Sequence, residues 1–139
     1  MLYVLIINAA VCLIMGSALV LLWRRDRKQA FTRYIGWANI IQFLVPVSYW
    51  LTGLSHVSQI VWGFVLFPFT GGAYTTLLLV GAAHLAERPI PRKIGWLIFL
   101  ILVFINAVAM STGGMRGMQI GVATINSTLG VVCAYWLWG

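Results

Sequence analysis

Charged residues divide this chain into long apolar blocks separated by short basic loops. Residues 1–23 contain no Asp, Glu, Lys or Arg, and residues 34–86 form a second block without them. One straight helix over the second block would be about 80 Å long, whereas the hydrocarbon core of a bilayer is about 30 Å thick. This block therefore has to fold back, and the polar, turn-prone residues 52–58 (TGLSHVS) predict where it turns.

The same pattern predicts an all-α fold, a polytopic membrane helical bundle of about five transmembrane helices in one domain, 1–139. Tryptophans lie near the ends of these predicted helices, at the level where amphipathic rings settle among lipid head groups. The predicted spans lie near residues 3–23, 34–52, 59–85, 94–112 and 118–138.

Composition supports a lipid environment, because 62% of the residues are hydrophobic and only 8% are charged. A soluble domain carries roughly 25% charged residues. The net charge of +7 comes from clusters beside the apolar blocks, which does not resemble the single water-facing patch that would bind nucleic acid. We interpret these clusters as topology signals and contacts for anionic lipid head groups. Their members are Arg24, Arg25, Arg27, Lys28, Arg33, Arg88, Arg92 and Lys93.

The distribution of the basic residues also predicts the orientation of the bundle. The loops 24–33 and 86–93 are rich in Lys and Arg, whereas the loops 52–58 and 111–117 contain only Arg116. The positive-inside rule then places the first pair of loops in the cytoplasm. Five spans leave the N-terminus outside and the C-terminus in the cytoplasm, as expected for a multi-pass protein of the bacterial inner (plasma) membrane.

Few residues are suited to catalysis. The only acids, Asp26 and Glu87, fall in the basic loops, so no carboxylate pair lies within a span to transfer protons. His56 and His84 would be about 42 Å apart along one helix, too far to ligate one haem iron. We therefore predict no catalytic residue, no metal site and no cofactor in this chain.

Polar residues interrupt the second and third spans at helical spacing. In the second span Asn39, Gln42, Pro46 and Tyr49 share one face, and in the third a proline is followed by hydroxyl groups. Such stripes either join helices by hydrogen bonds or line a pocket for a small, weakly polar ligand. The predicted pocket comprises Asn39, Gln42, Pro46 and Tyr49 on one side and Phe67, Pro68, Thr70 and Tyr74 on the other.

Small residues recur at intervals of four in two further spans, a spacing that allows close approach of helices. The approach could be within the chain or between two copies. The two stripes are Gly113, Gly117, Gly121 and Asn8, Cys12, Gly16.

The stretch 21–46, LLWRRDRKQAFTRYIGWANIIQFLVP, resembles the N-terminal membrane domains of bacterial diguanylate cyclases, the GGDEF-domain signalling enzymes. The similar features are Trp23-Arg24-Arg25 at the end of an uncharged span and Gly36-Trp37-Ala38-Asn39 in the next. The resemblance implies a homodimer with a cytoplasmic output domain after residue 139 that makes cyclic di-GMP. The catalytic Gly-Gly-Asp/Glu-Glu-Phe signature is not in this chain.

These observations favour a membrane-embedded sensory and anchoring domain of a bacterial signalling protein. A small molecule, a lipid or the state of the bilayer would shift the arrangement of the second and third helices. Membrane sensor regions of histidine kinases share the same features. The alternatives are a small transporter or channel subunit and an accessory subunit of a larger membrane complex.

Overall fold

A computed structural model describes residues 2–52 and 65–138. Every regular element among these residues is a helix, which confirms the predicted all-α class. The turn predicted over residues 52–58 and the start of the span predicted near 59–85 lie outside the described residues, apart from Thr52 itself. The helices are α1 (Leu2–Arg25), α2 (Ala30–Thr52), α3 (Phe67–Leu85) and α4 (Arg92–Trp138).

Helix α4 is broken at Gly114, where φ is 57° and ψ is −146°. Only glycine adopts this backbone conformation readily. A Cβ placed on Gly121 would lie 3.3 Å from the Ala109 Cβ, although these residues would be about 18 Å apart along one straight helix. The chain therefore folds back at Gly114, so that α4 consists of two segments, Arg92–Gly114 and 115–138, which contact each other near Ala109.

Two helices in the described part of the chain are long and apolar enough to cross a membrane. They cover Ile6–Arg25 in α1 and Arg92–Gly114 in α4. Length and composition alone support this assignment, which agrees with the predicted spans near 3–23 and 94–112.

Consecutive helices pack side by side in antiparallel directions, α1 on α2, α2 on α3 and α3 on α4. Cβ atoms placed on three glycines show the register: Gly16 would contact Gly36, Gly81 would contact Ile35, and Gly72 would contact Val103. The end of α1, the start of α2, the end of α3 and the start of α4 therefore lie together. We call this the basic end, because residues 24–33 and 86–93 are both there.

The interior contains several polar side chains, and the surface is unusually apolar. Large side chains such as Ile14, Phe104 and Val131 are 68%, 69% and 70% exposed. In water such a surface would drive association, whereas in lipid it needs no cover. The buried polar side chains are Thr32, Thr70, Thr75, Thr76 and Asn106, and the buried apolar ones are Ala9, Ala38, Phe67, Ala73, Leu79, Ala83, Leu102 and Met110.

Candidate functional site

The α3 side of the predicted pocket lies mostly in the packed interior. Phe67, Pro68 and Thr70 belong to the first turn of α3 and are buried. Proline is tolerated there because its missing N–H has no helical partner to lose. The Thr70 hydroxyl donates to the Leu66 carbonyl oxygen at 2.8 Å, and Tyr74, one turn further, is half-buried.

The α2 side of the predicted pocket is less enclosed. Asn39, Gln42 and Pro46 are half-buried, and the Asn39 Nδ2 donates to the Ile35 carbonyl oxygen at 2.9 Å within its own helix. The side chain of Tyr49 lies outside the described part. Since Gly81 packs against Ile35 in antiparallel register, Gln42 lies near the depth of Tyr74. The pocket between these helices remains a prediction.

Asn106 in α4 is a buried polar residue that was not among the predicted pocket residues. This residue is 2% exposed, and its Nδ2 donates to the Leu102 carbonyl oxygen at 2.9 Å. Its Oδ1 is buried and has no hydrogen-bond partner in the described structure. An unsatisfied buried acceptor costs about 1–3 kcal/mol. The signal in the sequence was its position, as the sole polar side chain in the apolar run 97–110.

Asn106 faces Gly71 of α3, a position that has no side chain. A Cβ placed on Gly71 would lie 3.5 Å from the Asn106 Nδ2 and 3.9 Å from its Oδ1. The buried hydroxyls of Thr70 and Thr76 on α3 donate to the carbonyl oxygens of Leu66 and Gly72, at 2.8 and 2.7 Å. We call Thr70, Gly71, Thr76 and Asn106 the α3–α4 seam. Its Asn106 Oδ1 is a buried acceptor without a hydrogen-bond partner among the described residues.

At the basic end, Asp26 is the one acid in the loop between α1 and α2, and its side chain accepts two hydrogen bonds from that loop. The Asp26 Oδ1 accepts the backbone N–H of Lys28 at 3.1 Å, and its Oδ2 accepts the Gln29 Nε2 at 3.2 Å. The hydroxyl of buried Thr32 donates to the Gln29 carbonyl oxygen at 2.7 Å. Asp26 is therefore engaged in shaping the loop.

The loop after α3 starts with a Schellman motif. The Arg88 N–H donates to the Ala83 carbonyl oxygen at 2.9 Å and the Glu87 N–H to that of His84 at 3.2 Å. Glu87 carries the positive φ of this motif, 57°, where glycine is usual. The His84 ring lies 4.9 Å from the Tyr34 ring, which ties the end of α3 to the start of α2.

All the basic residues that were predicted to contact lipid head groups are exposed in the structure. One of them, Arg33, has its Cζ 4.9 Å from the centre of the Trp23 ring and 5.8 Å from that of Tyr34. The Arg27 Cζ lies 5.8 Å from the same Trp23 ring. The exposed residues are Arg24, Arg25, Arg27, Lys28, Arg33, Arg88, Arg92 and Lys93.

No protein-family model, curated protein or solved structure matches this chain. The features of the molecule that bear on function are the α3–α4 seam, the basic end and the apolar outer surface.

Proposed function

We propose that this chain is the membrane-embedded sensory and anchoring domain of a bacterial signalling protein, with a cytoplasmic diguanylate cyclase as its output. The observation that carries the proposal is the apolar outer surface, on which large Ile, Phe and Val side chains are exposed, together with four Thr and one Asn that are buried between the helices. Helices in lipid pack in this way, since polar groups turn toward neighbouring helices. The proposal treats α1 to α4, including both segments of α4, as membrane-spanning.

The basic end supplies the orientation in this proposal. Its Lys and Arg residues would face the cytoplasm and the negatively charged inner leaflet. The segment 115–138 folds back against Ala109, and in this proposal it continues toward the basic end. A domain joined behind α4 would then be in the cytoplasm, where cyclic di-GMP is made. The resemblance of residues 21–46 to cyclase membrane domains supports this choice of output.

The sensory part of the proposal rests on the α3–α4 seam and the neighbouring predicted pocket. A molecule that supplies a donor to the Asn106 Oδ1 would favour the arrangement of α3 and α4 in which that bond forms. A ligand shifts such an equilibrium only through its different affinity for the two arrangements. Because α3 packs on α2 as well as on α4, a movement of α3 would reach the basic end through Tyr34 and His84.

The test joins the full chain to a GGDEF cyclase domain that has lost its own membrane region, and measures cyclic di-GMP in the bacterial host. Gln42→Leu, Tyr74→Phe and Asn106→Leu should change the output at equal expression. Thr124→Val is the matched control, since its exposed hydroxyl bonds only to its own helix, at Ile120. A C-terminal reporter should be active in the cytoplasm.

Unchanged cyclic di-GMP output in all three variants would mean that the chain anchors the protein in the membrane but does not sense a ligand. A reporter active only in the periplasm would overturn the orientation. Solute flux into proteoliposomes that contain only this chain would favour the transporter or channel alternative instead.

A further inference from the structure

We propose that the junction of α1 and α2 binds the phosphate of an anionic phospholipid through Arg27 and Arg33, whose guanidinium groups both contact the Trp23 ring. This inference rests on the membrane orientation in the proposed function and does not depend on the signalling output. We call Trp23, Arg27 and Arg33 the Trp23 clamp.

The positive charge at this junction is not compensated. Residues 24–33 carry five Lys and Arg and a single acid, Asp26. Both oxygens of that acid accept hydrogen bonds from Lys28 N–H and the Gln29 amide. Among the described residues, no ion pair joins either acid of the chain to these cations. Such a concentration of positive charge at the membrane surface attracts an anionic partner.

The Arg33 Cζ is 4.9 Å and the Arg27 Cζ 5.8 Å from the centre of the Trp23 ring, distances typical of cation–π contact. Both arginines are exposed, whereas Trp23 is half-buried and therefore held by its surroundings. Contact with the ring restricts the guanidinium group, whose N–H donors can then bind the paired oxygens of a phosphate.

The source of the phosphate in this proposal is a lipid. The end of α1 that carries the clamp is also apolar, since Leu21 and Leu22 in the same turn as Trp23 are 62% and 46% exposed. An acyl chain attached to the bound head group would cover this surface, whereas a free phosphate would leave it bare. Trp23 itself lies where tryptophan prefers the head-group region.

The experiment uses the purified full chain in a neutral detergent. Phosphatidylglycerol is titrated, and native mass spectrometry counts the bound lipid, with phosphatidylcholine as the neutral probe. Arg33→Gln should weaken phosphatidylglycerol binding about tenfold, as expected for the loss of a charge-assisted hydrogen bond. Arg33→Lys should also weaken it, because an ammonium group keeps the charge without the planar fork.

Arg24→Gln is the matched control, because it removes the same charge from the same junction. Arg24 makes no ring contact among the described residues, so its loss should change binding by less than about threefold. Equal losses in Arg24→Gln and Arg33→Gln, or full binding by Arg33→Lys, would overturn the clamp in favour of diffuse attraction.

Two further measurements test whether the occupant is a lipid and whether a misfolded variant explains the loss of binding. Inorganic phosphate that displaces the lipid at equal concentration would overturn the lipid as the natural occupant. If Arg33→Gln loses its helical circular dichroism, Arg27→Gln on the exposed loop tests the same clamp and should also bind less phosphatidylglycerol. Cyclic di-GMP output is not used in either measurement, so failure of the clamp and failure of the proposed function are separable.

Discussion

Helix α1 meets α2 through two glycines, whereas α3 meets α4 where a glycine faces a polar amide. A Cβ on Gly16 would lie 2.8 Å from the Gly36 carbonyl oxygen and 2.9 Å from the Ile40 nitrogen, so backbone meets backbone. Across the α3–α4 seam, Gly71 instead leaves room beside Asn106. Both contacts use small residues, as helices in lipid commonly do. The first contact serves packing alone, whereas the second retains an unsatisfied acceptor.

The largest effect is expected at the α1–α2 contact. Gly16→Ala should lower the free energy of unfolding by about 2–3 kcal/mol, because helix backbones cannot move aside as a side chain can. Thermal unfolding in detergent measures the change. Gly130→Ala is the control, since a Cβ there has no atom within 4 Å. Equal stability of the two variants would mean that α1 and α2 are not in close contact.

A smaller loss of stability is expected at the α3–α4 contact, because a methyl group added at Gly72 would meet mainly a side chain. A Cβ on Gly72 would lie 2.6 Å from the Val103 Cγ2 but 3.1 Å from the nearest backbone atom, the Val103 nitrogen. Gly72→Ala should therefore cost about 1–2 kcal/mol.

Val103→Ala should recover part of that loss, with a coupling energy of about 1 kcal/mol in a double-mutant cycle. The matched cycle with Gly16→Ala and Ile40→Ala should recover less, because the backbone obstacles remain. Equal coupling energies in the two cycles would remove the distinction between the contacts.

The smallest change in the free energy of unfolding is expected at Asn106. The sign of this change shows whether the Asn106 amide is unsatisfied or holds a bound donor. If the Oδ1 has no donor, Asn106→Leu should raise the free energy of unfolding by up to about 1 kcal/mol, since an unsatisfied group is replaced by an apolar one of similar shape. Asn39→Leu is the control, because Asn39 makes the same bond within its helix but is only half-buried. A loss of more than about 1 kcal/mol specific to Asn106→Leu would indicate that a bound donor is present in the purified protein.

Several features of the fold could be predicted from the order of residues because they depend on local chemistry. The uncharged block before Trp23 predicted α1, and residues 111–117 predicted the break that the structure places at Gly114. The basic loops predicted exposed cations, which the structure has. Each of these depends on hydrophobicity or backbone freedom over a few residues.

The candidate site could be predicted only in part. Thr70 and Pro68 were chosen as pocket residues, and the structure buries both in the first turn of α3. Asn106 was missed, because a lone amide in an apolar run does not show which helix it will face. The stripe containing Gly117 and Gly121 allowed packing within the chain or between copies, and in the structure both residues approach Ala109 of the same chain.

The sequence by itself determined that the chain is helical, that two of its helices are long and apolar enough to cross a membrane, and where its positive charge lies. These are properties of composition and spacing, which need no partner. Tertiary structure alone decided which helices touch, that Asn106 faces Gly71, and that Arg27 and Arg33 share the Trp23 ring. Those relations join residues on different elements, and helical periodicity does not specify the rotation of one helix against its neighbour.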